Sequence, residues 1–161
     1  MIIRDATEKD AAAIASIFRY YVEETAISFE YEAPTDEAMR RKIIESANHL
    51  PYLVAEENNR ILGYVYAHPF SQREAYRISA EVTIYLDKDC TGKGIGKALY
   101  EELERRLSGT EVRNLYAIVM YPGYGSIEFH EKMGYKTVGK LTDCGMKFGK
   151  LWSVVYMEKK L

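Results

Sequence analysis

The sequence predicts an α/β or α+β fold in which helices pack against a sheet. Segments with helical spacing of apolar residues alternate along the chain with segments that have the composition and spacing of strands. A length of 161 residues and an apolar content of 47% suit one domain with one core. Because we find no repeat, low-complexity tract or interior linker, we expect residues 1–161 to form a single domain.

The first third of the chain is predicted to be mainly helical. A short strand at Ile2–Arg4 precedes a helix over Glu8–Glu24, in which apolar residues recur at helical spacing and Thr7 is the expected cap. The segment Thr25–Ala33 is aromatic and irregular, which fits either simple packing or the wall of a pocket. A second, mostly polar helix is expected to open at Pro34-Thr35-Asp36 and to run through about Ala47.

Strands are predicted in the middle of the chain. Tyr52–Ala55 and Ile61–Ala67 are short apolar runs on either side of Asn58-Asn59, a pattern typical of an antiparallel hairpin. After a loop that contains Arg73 and Tyr76, the segment Ser79–Leu86 is rich in β-branched and aromatic residues, which indicates another strand.

The most informative segment is the glycine-rich loop Asp87–Lys97, which links that strand to an amphipathic helix. Gly92, Gly94 and Gly96 allow several backbone N–H groups to converge on one point, where the helix N-terminus adds about half a positive charge. The expected ligand is a phosphate or pyrophosphate. The spacing does not fit a P-loop, because Ala98 follows Gly96-Lys97 where Ser or Thr is required. It does not fit a dinucleotide-binding fingerprint either, because Lys97 or Leu99 stands where the third glycine is required.

The remaining chain predicts one more helix and three more strands. We expect a strand at Val112–Met120, a helix at Ser126–Gly134 after the loop Tyr121–Gly125, and strands at Tyr135–Leu141 and Leu151–Glu158. The last two strands are expected to be joined by a loop holding Gly145, Lys147 and Gly149.

Composition excludes several classes of function. The chain has 22 Lys and Arg residues against 24 Asp and Glu, a net charge of −2, which argues against general binding to nucleic acid or to an anionic membrane. No apolar run approaches the roughly 18 residues of a membrane helix, so we expect a cytoplasmic protein. Cys90 and Cys144 stand alone, without the spacing of a metal site or a disulfide framework, and we expect no metal.

Two segments resemble the GNAT superfamily of acyl-CoA-dependent N-acetyltransferases. The signature of that family, Arg/Gln-x-x-Gly-x-Gly/Ala, falls on Thr91, Gly94 and Gly96, so both glycines match and the first position differs. About 30 residues later, Ser126–Tyr135 is similar to the closing helix of the family, with Gly123 in the place of a usual Asn. The resemblance implies a mixed, mostly antiparallel sheet that is splayed in the middle, with acetyl-CoA in the gap beside the glycine loop.

Over nearly the whole chain the resemblance narrows to the phosphinothricin acetyltransferase group. The stretches that carry it are Ile3–Glu8, Tyr52–Glu56, Arg73–Tyr76, Ala80–Leu86, Phe129–Tyr135 and Gly145–Gly149. It implies an enzyme that transfers acetyl from acetyl-CoA to a small amino acid analogue such as phosphinothricin, methionine sulfoximine or methionine sulfone. It also implies direct attack in a ternary complex and a homodimer.

The resemblance assigns roles to individual residues. Glu81, in an otherwise apolar strand, matches the proposed catalytic Glu of the group, and His130 matches a His that can act as an acid, act as a base or orient the substrate. Coenzyme contacts are implied for Ile84, Tyr85, Leu86, Gly92, Lys93, Gly94, Ile95, Gly96, Lys97 and Ser126. For the acceptor, Arg73 is the expected carboxylate ligand, Phe29 and Tyr76 are expected to wall the pocket, and Lys147 is a weaker candidate.

Two alternatives stay open at this point. The acceptor could be another small amine, a polyamine or an aminoglycoside, in which case a pocket rich in carboxylates is expected. The chain could also be an acyl-CoA-binding sensor without turnover. The presence of Glu81 argues against a sensor, whereas Thr91 and Gly123 keep that alternative open.

Overall fold

The computed structural model describes residues 1–47 and 49–161, which contain seven strands and four α-helices. The strands are β1 (Ile2–Asp5), β2 (Tyr52–Glu57), β3 (Arg60–Pro69), β4 (Ser79–Leu86), β5 (Asn114–Tyr121), β6 (Lys136–Lys147) and β7 (Lys150–Lys160). The helices are α1 (Ala11–Glu23), α2 (Asp36–Ala47), α3 (Ile95–Leu107) and α4 (Ser126–Lys132). No helix in the described residues has the length and apolarity needed to span a membrane.

The strands form one sheet in the order β1-β2-β3-β4-β5-β7-β6. Every neighbouring pair is antiparallel except β4 and β5, which are parallel. The predicted α/β fold with a mixed, mostly antiparallel sheet is therefore confirmed. The predicted hairpin between β2 and β3 is present as well, and its turn residues Asn58 and Asn59 have φ values of 50° and 61°, as a tight turn requires.

A hydrophobic core lies on each face of the sheet. One core joins α3 to the sheet through the fully buried Leu99, Leu103 and Leu107. The other joins α1 and α2 to the opposite face, where the rings of Tyr52 and Tyr66 stack with centroids 4.8 Å apart. The N-terminus of α3 therefore lies on one face of the sheet, and the aromatic surface around Tyr52 and Tyr66 lies on the other.

The last hairpin corrects one prediction. β6 runs as far as Lys147, so Gly145 and Lys147 lie in a strand and not in a loop. Only Phe148 and Gly149 form the turn, with φ values of 52° and 68°, because two residues with positive φ suffice to reverse a twisted pair of strands. A shift of register after Leu141 accommodates the intervening residues.

The end of β6 packs against the connection between α1 and α2, residues 24–35. Gly145 leaves no room for a side chain, because the ring of Phe29 lies directly against its backbone. The Tyr31 hydroxyl donates a hydrogen bond to the Met146 carbonyl. The final hairpin thus holds the α1–α2 connection, which has no regular structure of its own.

Candidate active site

The candidate active site begins at a gap between β4 and β5. Within the described residues these strands pair only at Ser79–Glu81 and Asn114–Tyr116, and beyond that point the pairing is lost. Side chains of β4 alternate between the two faces, so that Ile84 packs with the α3 core and Tyr85 with the α1 core. The gap therefore connects the two faces of the sheet.

Backbone groups line this gap. The Ile78 carbonyl accepts a 2.8 Å hydrogen bond from the Arg113 N–H, just before β5. Because backbone direction alternates along a strand, Val82 and Ile84 also direct their N–H and C=O groups toward β5, where the strand pairing has ended. An extended polar ligand in the gap would meet both donors and acceptors.

The residues predicted to hold an acetyl end contribute in different ways. Ile84 faces the gap with its backbone. Tyr85 is opposite Tyr64 in the β3 ladder and contributes its side chain instead. The Leu86 carbonyl already accepts a 2.6 Å hydrogen bond from the Tyr21 hydroxyl. Ile84 and Tyr85 line the gap, all three residues line the larger cavity beside it, and Ile84 has the freest backbone of the three.

The glycine-rich loop borders a cavity of about 660 Å³ on the α3 side of the gap, here called the α3-side cavity. Gly94 has a φ of 79° and directly precedes α3, and no side chain of the described residues caps this helix. The first-turn N–H groups of Ile95, Gly96 and Lys97 are consequently available to an anion.

Two glycines near this cavity are explained by packing. A side chain on Gly96 would lie 3.2 Å from the ring of Phe129, so this glycine permits α3 and α4 to approach each other. Gly123 has a φ of 95°, and a side chain there would lie 2.7 Å from Ile127. Packing thus accounts for the absence of the Asn that the family usually carries at Gly123.

The predicted basic residues of the loop separate in the structure. Lys97 lines the α3-side cavity, as do Thr91 and Ser126. Lys93 donates a 2.8 Å hydrogen bond to the Asp89 carbonyl and so stabilises the loop itself. Lys88 also lines the cavity, and the sequence analysis did not select it.

Glu81 lies where two cavities meet. It lines the narrow gap, of about 170 Å³, together with residues of β5 and α4. It also lines a cavity of about 410 Å³ on the other face, here called the α2-side cavity. Its side chain is 24% exposed. A carboxylate in this place can contact a ligand on the α2 side and a ligand that reaches through the gap.

The α2-side cavity combines aromatic walls with three charged groups. Its aromatic residues are Phe18, Phe29, Tyr64, Tyr66 and Tyr85, and its charged residues are Glu30, Lys42 and Glu81. Such a lining suits a small ligand that carries both charge and apolar atoms.

Lys42 brings a cation to this cavity. Its ammonium donates a 2.7 Å hydrogen bond to the Tyr66 hydroxyl and lies 4.4 Å from the centre of that ring. Among the described residues Lys42 forms no ion pair, so its charge is not neutralised by a neighbouring carboxylate.

His68 lies beside Glu81. The two residues face each other across β3 and β4, with Nε2 of His68 3.7 Å from Oε1 of Glu81. The interaction with this carboxylate raises the pKa of His68 above its ordinary value of 6.5.

His130 is buried on the α3 side of the gap. Its Nδ1 lies 2.7 Å from the Ser126 carbonyl and its Nε2 lies 2.8 Å from the Tyr100 hydroxyl. Since a carbonyl can only accept, Nδ1 carries the proton and Nε2 accepts from Tyr100. Burial lowers the pKa of His130, so the ring is neutral near pH 7.

Three predicted acceptor residues lie outside the wall of the α2-side cavity. Arg73 is exposed and precedes a short 3₁₀ turn at Glu74–Ile78. Tyr76 lies in that turn with its ring centre 5.4 Å from that of Phe70. Lys147 is buried, and burial lowers its pKa.

The ammonium of Lys147 is occupied by the fold. It donates 2.6 Å hydrogen bonds to the carbonyls of Val22 and Ser28. Lys147 therefore ties β6 to the end of α1 and to the α1–α2 connection. Of the predicted acceptor residues, Phe29 is the one in the wall of the cavity.

Sequence reasoning missed Lys42 and His68. Lys42 lies on a helix that is polar over most of its surface, and nothing in its spacing distinguishes it from solvated lysines. His68 faces Glu81 because of the β3–β4 register, which no tight turn sets, since residues 70–78 separate the strands. A single sequence holds no signal for either position.

Comparisons with known proteins agree with this geometry. The family model described as "Acetyltransferase (GNAT) domain" matches residues 3–154. The chain is 31% identical to a phosphinothricin N-acetyltransferase of Streptomyces coelicolor, over 99% of this chain and 95% of that protein. It is 28% identical to an L-methionine sulfoximine/L-methionine sulfone acetyltransferase of Salmonella typhimurium, over 100% and 95%.

A solved structure is similar over almost the whole fold. It is a GNAT superfamily phosphinothricin acetyltransferase from Sinorhizobium meliloti in complex with AcCoA. The TM-score is 0.95 at 32% identity, with 99% of this chain and 88% of that chain covered.

Proposed function

The chain belongs to the GNAT acetyltransferase family, and on this premise we propose that it transfers acetyl from acetyl-CoA to the amino group of a small amino acid or amino acid analogue. One observation carries the proposal: Glu81 lines both the gap that opens toward the glycine loop and a charged cavity of about 410 Å³ on the opposite face. A base in this place stands between the two reactants.

Acetyl-CoA is proposed to occupy the α3-side cavity and the gap. The free N–H groups at the start of α3 suit its pyrophosphate, because they combine hydrogen-bond donors with the positive end of the helix dipole. The backbone of Val82 and Ile84 suits its amide-containing arm. The thioester would then emerge beside Glu81.

The proposed reaction is a direct transfer. Glu81 takes a proton from the ammonium of the acceptor, and the free amine attacks the thioester carbonyl to form the new C–N bond. The tetrahedral intermediate then breaks its C–S bond, and the departing thiolate of CoA takes up the second proton that the attacking nitrogen must lose to become a neutral amide. The products are the N-acetyl compound and CoA.

His130 is proposed to support this site and not to supply the proton. Its ring is neutral, and its one N–H is held by the Ser126 carbonyl. Releasing that proton to the thiolate would leave a buried imidazolate, which is energetically unfavourable. The hydrogen bond from Tyr100 instead fixes the ring between α3 and α4.

The acceptor is proposed to carry a carboxylate that pairs with Lys42. This ammonium is in the α2-side cavity and has only a phenolic hydroxyl and a ring as partners, whereas Arg73 lies outside the cavity wall. The side chain of Lys42 is exposed, so a carboxylate that enters the cavity can reach its ammonium, and the charge-assisted hydrogen bond favours an acid over its amide. The amino end of the same molecule would face Glu81.

The test is CoA release from acetyl-CoA with a panel of acceptors. The panel contains phosphinothricin, methionine sulfoximine, methionine sulfone, the amide of methionine sulfone, spermidine and an aminoglycoside. We expect turnover of the three free amino acid analogues and poor use of the amide. Preferred use of spermidine or the aminoglycoside would contradict the proposed acceptor, and no turnover of any amine would favour an acyl-CoA-binding sensor.

Lys42→Met sharpens this test, since methionine keeps the packing on Tyr66 and removes the charge. The KM for methionine sulfone should rise about tenfold or more, because a charged hydrogen bond is lost, while the KM for the amide stays the same. Arg41→Met, an exposed neighbour on α2, is the matched control and should change neither KM. An equal rise for acid and amide would exclude Lys42 as the carboxylate ligand.

A further inference from the structure

A second titratable group stands directly behind Glu81. His68 and Glu81 are cross-strand partners in the β3–β4 register, and Nε2 of the histidine lies 3.7 Å from the carboxylate. Glu81 faces the cavities, whereas 38% of the His68 side chain is exposed to solvent. The pair thus spans the distance between the reaction site and the surface.

The hydrogen bonds of His68 orient its ring. Nδ1 lies 3.2 Å from the carbonyl of Pro69, which can only accept, so Nδ1 carries a proton. The lone pair of the neutral ring is therefore on Nε2, the nitrogen that faces Glu81. Only this nitrogen can take up or release a proton while the hydrogen bond to Pro69 is kept.

The groups around His68 have opposing effects on its charge. Glu81 on β4 favours the protonated ring, and Lys42 on α2 disfavours it. On β3 itself, Tyr66 places its ring 5.8 Å from the imidazole. The net effect raises the pKa of His68 above 6.5, so that Nε2 holds a proton at a higher pH than an ordinary histidine does.

We propose that His68 is a positioning residue for Glu81 that also carries the proton of the acceptor amine to solvent. This inference rests on the proposed function. Glu81 takes one proton from the acceptor ammonium and passes it to Nε2 of His68, which forms an imidazolium. The imidazolium releases that proton to water, and the carboxylate and the neutral ring are restored before the next acceptor binds.

The first test is the pH profile of His68→Gln against wild type, with the best acceptor of the panel. In wild type, kcat falls at low pH because a protonated Nε2 cannot accept. In the variant this acidic limb should vanish from the neutral range, and kcat at the plateau should fall about tenfold, less than the roughly 10²- to 10⁴-fold of a complete general base. His49→Gln, a histidine in the turn before β2, is the control and should match wild type.

Rescue separates proton transfer from a purely structural role. Imidazole added to His68→Ala should restore part of kcat and leave the KM for acetyl-CoA unchanged, since the site is open to solvent. An unchanged kcat and acidic limb in His68→Gln would overturn the inference. A lower kcat with the wild-type limb and no rescue would also overturn it, because only packing would then have been lost.

A measurement that needs no substrate tests the coupling between His68 and Glu81 separately from the proposed function. NMR titration of the His68 ring should give a pKa above 6.5 in wild type and a lower value in Glu81→Gln. A His68 pKa that does not respond to Glu81→Gln overturns the coupling whether or not the enzyme turns over. Full activity of Glu81→Gln would instead overturn Glu81 as the base and leave the measured coupling without a catalytic role.

Discussion

Two histidines lie near the gap, and their environments shift their pKa values in opposite directions. His68 is partly exposed beside a carboxylate, which raises its pKa. His130 is buried between a tyrosine hydroxyl and a carbonyl, and burial lowers its pKa. His68, on the α2 side, therefore favours the protonated ring more than an ordinary histidine does, whereas His130, on the α3 side, favours the neutral ring.

The two faces of the site differ in the same way in the charged residues that line their cavities. The α2-side cavity has the charged groups Glu30, Lys42 and Glu81, which suit proton transfer and recognition of a charged acceptor. The α3-side cavity is lined by two lysines, Lys88 and Lys97, and otherwise by uncharged residues, and it has no carboxylate among its described lining residues, which suits an anionic coenzyme.

Glu81→Gln should have the largest effect and should act on chemistry alone. An amide cannot accept the amine proton, so kcat should fall by roughly 10²- to 10⁴-fold. Calorimetry should give an unchanged Kd for acetyl-CoA, because the pyrophosphate and the arm are held on the other face. A large loss of acetyl-CoA affinity would contradict the separation of the two faces.

His130→Phe should act mainly on stability. It leaves the buried Tyr100 hydroxyl without its 2.8 Å partner, which costs about 1–3 kcal/mol in the free energy of unfolding. Urea denaturation measures the loss, and Tyr100→Phe is the complementary variant. If His130→Phe instead lowered kcat as strongly as Glu81→Gln with no loss of stability, His130 would be the proton donor and the contrast between the histidines would fail.

Gly94→Ala should weaken acetyl-CoA binding without changing the pH profile. Gly94 has a φ of 79°, and a residue with a side chain pays about 1–2 kcal/mol for that conformation, which corresponds to a roughly 5- to 30-fold higher Kd if the loop relaxes away from it. Gly109→Ala, in the turn after α3, is the control, since Gly109 does not require a positive φ. Equal Kd values for the two variants would exclude the loop as the anion site.

The smallest effect is the pH dependence of stability, where the two histidines should have opposite signs. The folded-state pKa of His130 lies below 6.5, so its contribution is present above pH 6.5 and is lost as the pH falls toward the folded value. The folded-state pKa of His68 lies above 6.5, so its contribution is complete below pH 6.5 and is lost as the pH rises through the folded value.

Urea titrations between about pH 5 and pH 8 measure both contributions. His130→Gln should flatten the loss of stability below pH 6.5, and His68→Gln should flatten the loss above it. Carboxylates with lowered pKa values, such as Asp10 and Asp87, lose their contributions only as the pH falls from about 3.8, outside this window. Slopes of the same sign for the two histidines would contradict the assigned environments.

Local patterns in the sequence were sufficient to predict most of the fold. The strand at Ser79–Leu86, the glycine loop and the following helix are contiguous, so their order, and with it the position of the proposed anion site, can be predicted from spacing alone. The Asn58-Asn59 hairpin is equally local. The predicted strand ends at Leu141 and is therefore shorter than β6, because Gly145 weakens the strand pattern. The structure needs a glycine there, since the ring of Phe29 lies against its backbone.

The acceptor side could not be predicted in the same way. Its residues come from α1, the α1–α2 connection, α2, β3, β4, β5 and β7, and their proximity depends on register and on helix orientation. Arg73 was attractive because of its chemistry, yet the 3₁₀ turn after it leads the chain along the surface. Phe29 lines the α2-side cavity, whereas Arg73, Tyr76 and Lys147 do not, and the substrate roles of all four residues remain predictions.

The buried Lys147 affects how such a site can evolve. It joins the last hairpin to Val22 and Ser28, which are separated from it by 125 and 119 positions in the chain. The α1–α2 connection, which lines the α2-side cavity, is thus held in place by a hairpin that carries no part of the proposed chemistry. If this cavity holds the acceptor as proposed, substitutions at the hairpin tip can change acceptor selectivity while β4 and the glycine loop stay unchanged, so that selectivity can evolve without a change in the catalytic residues.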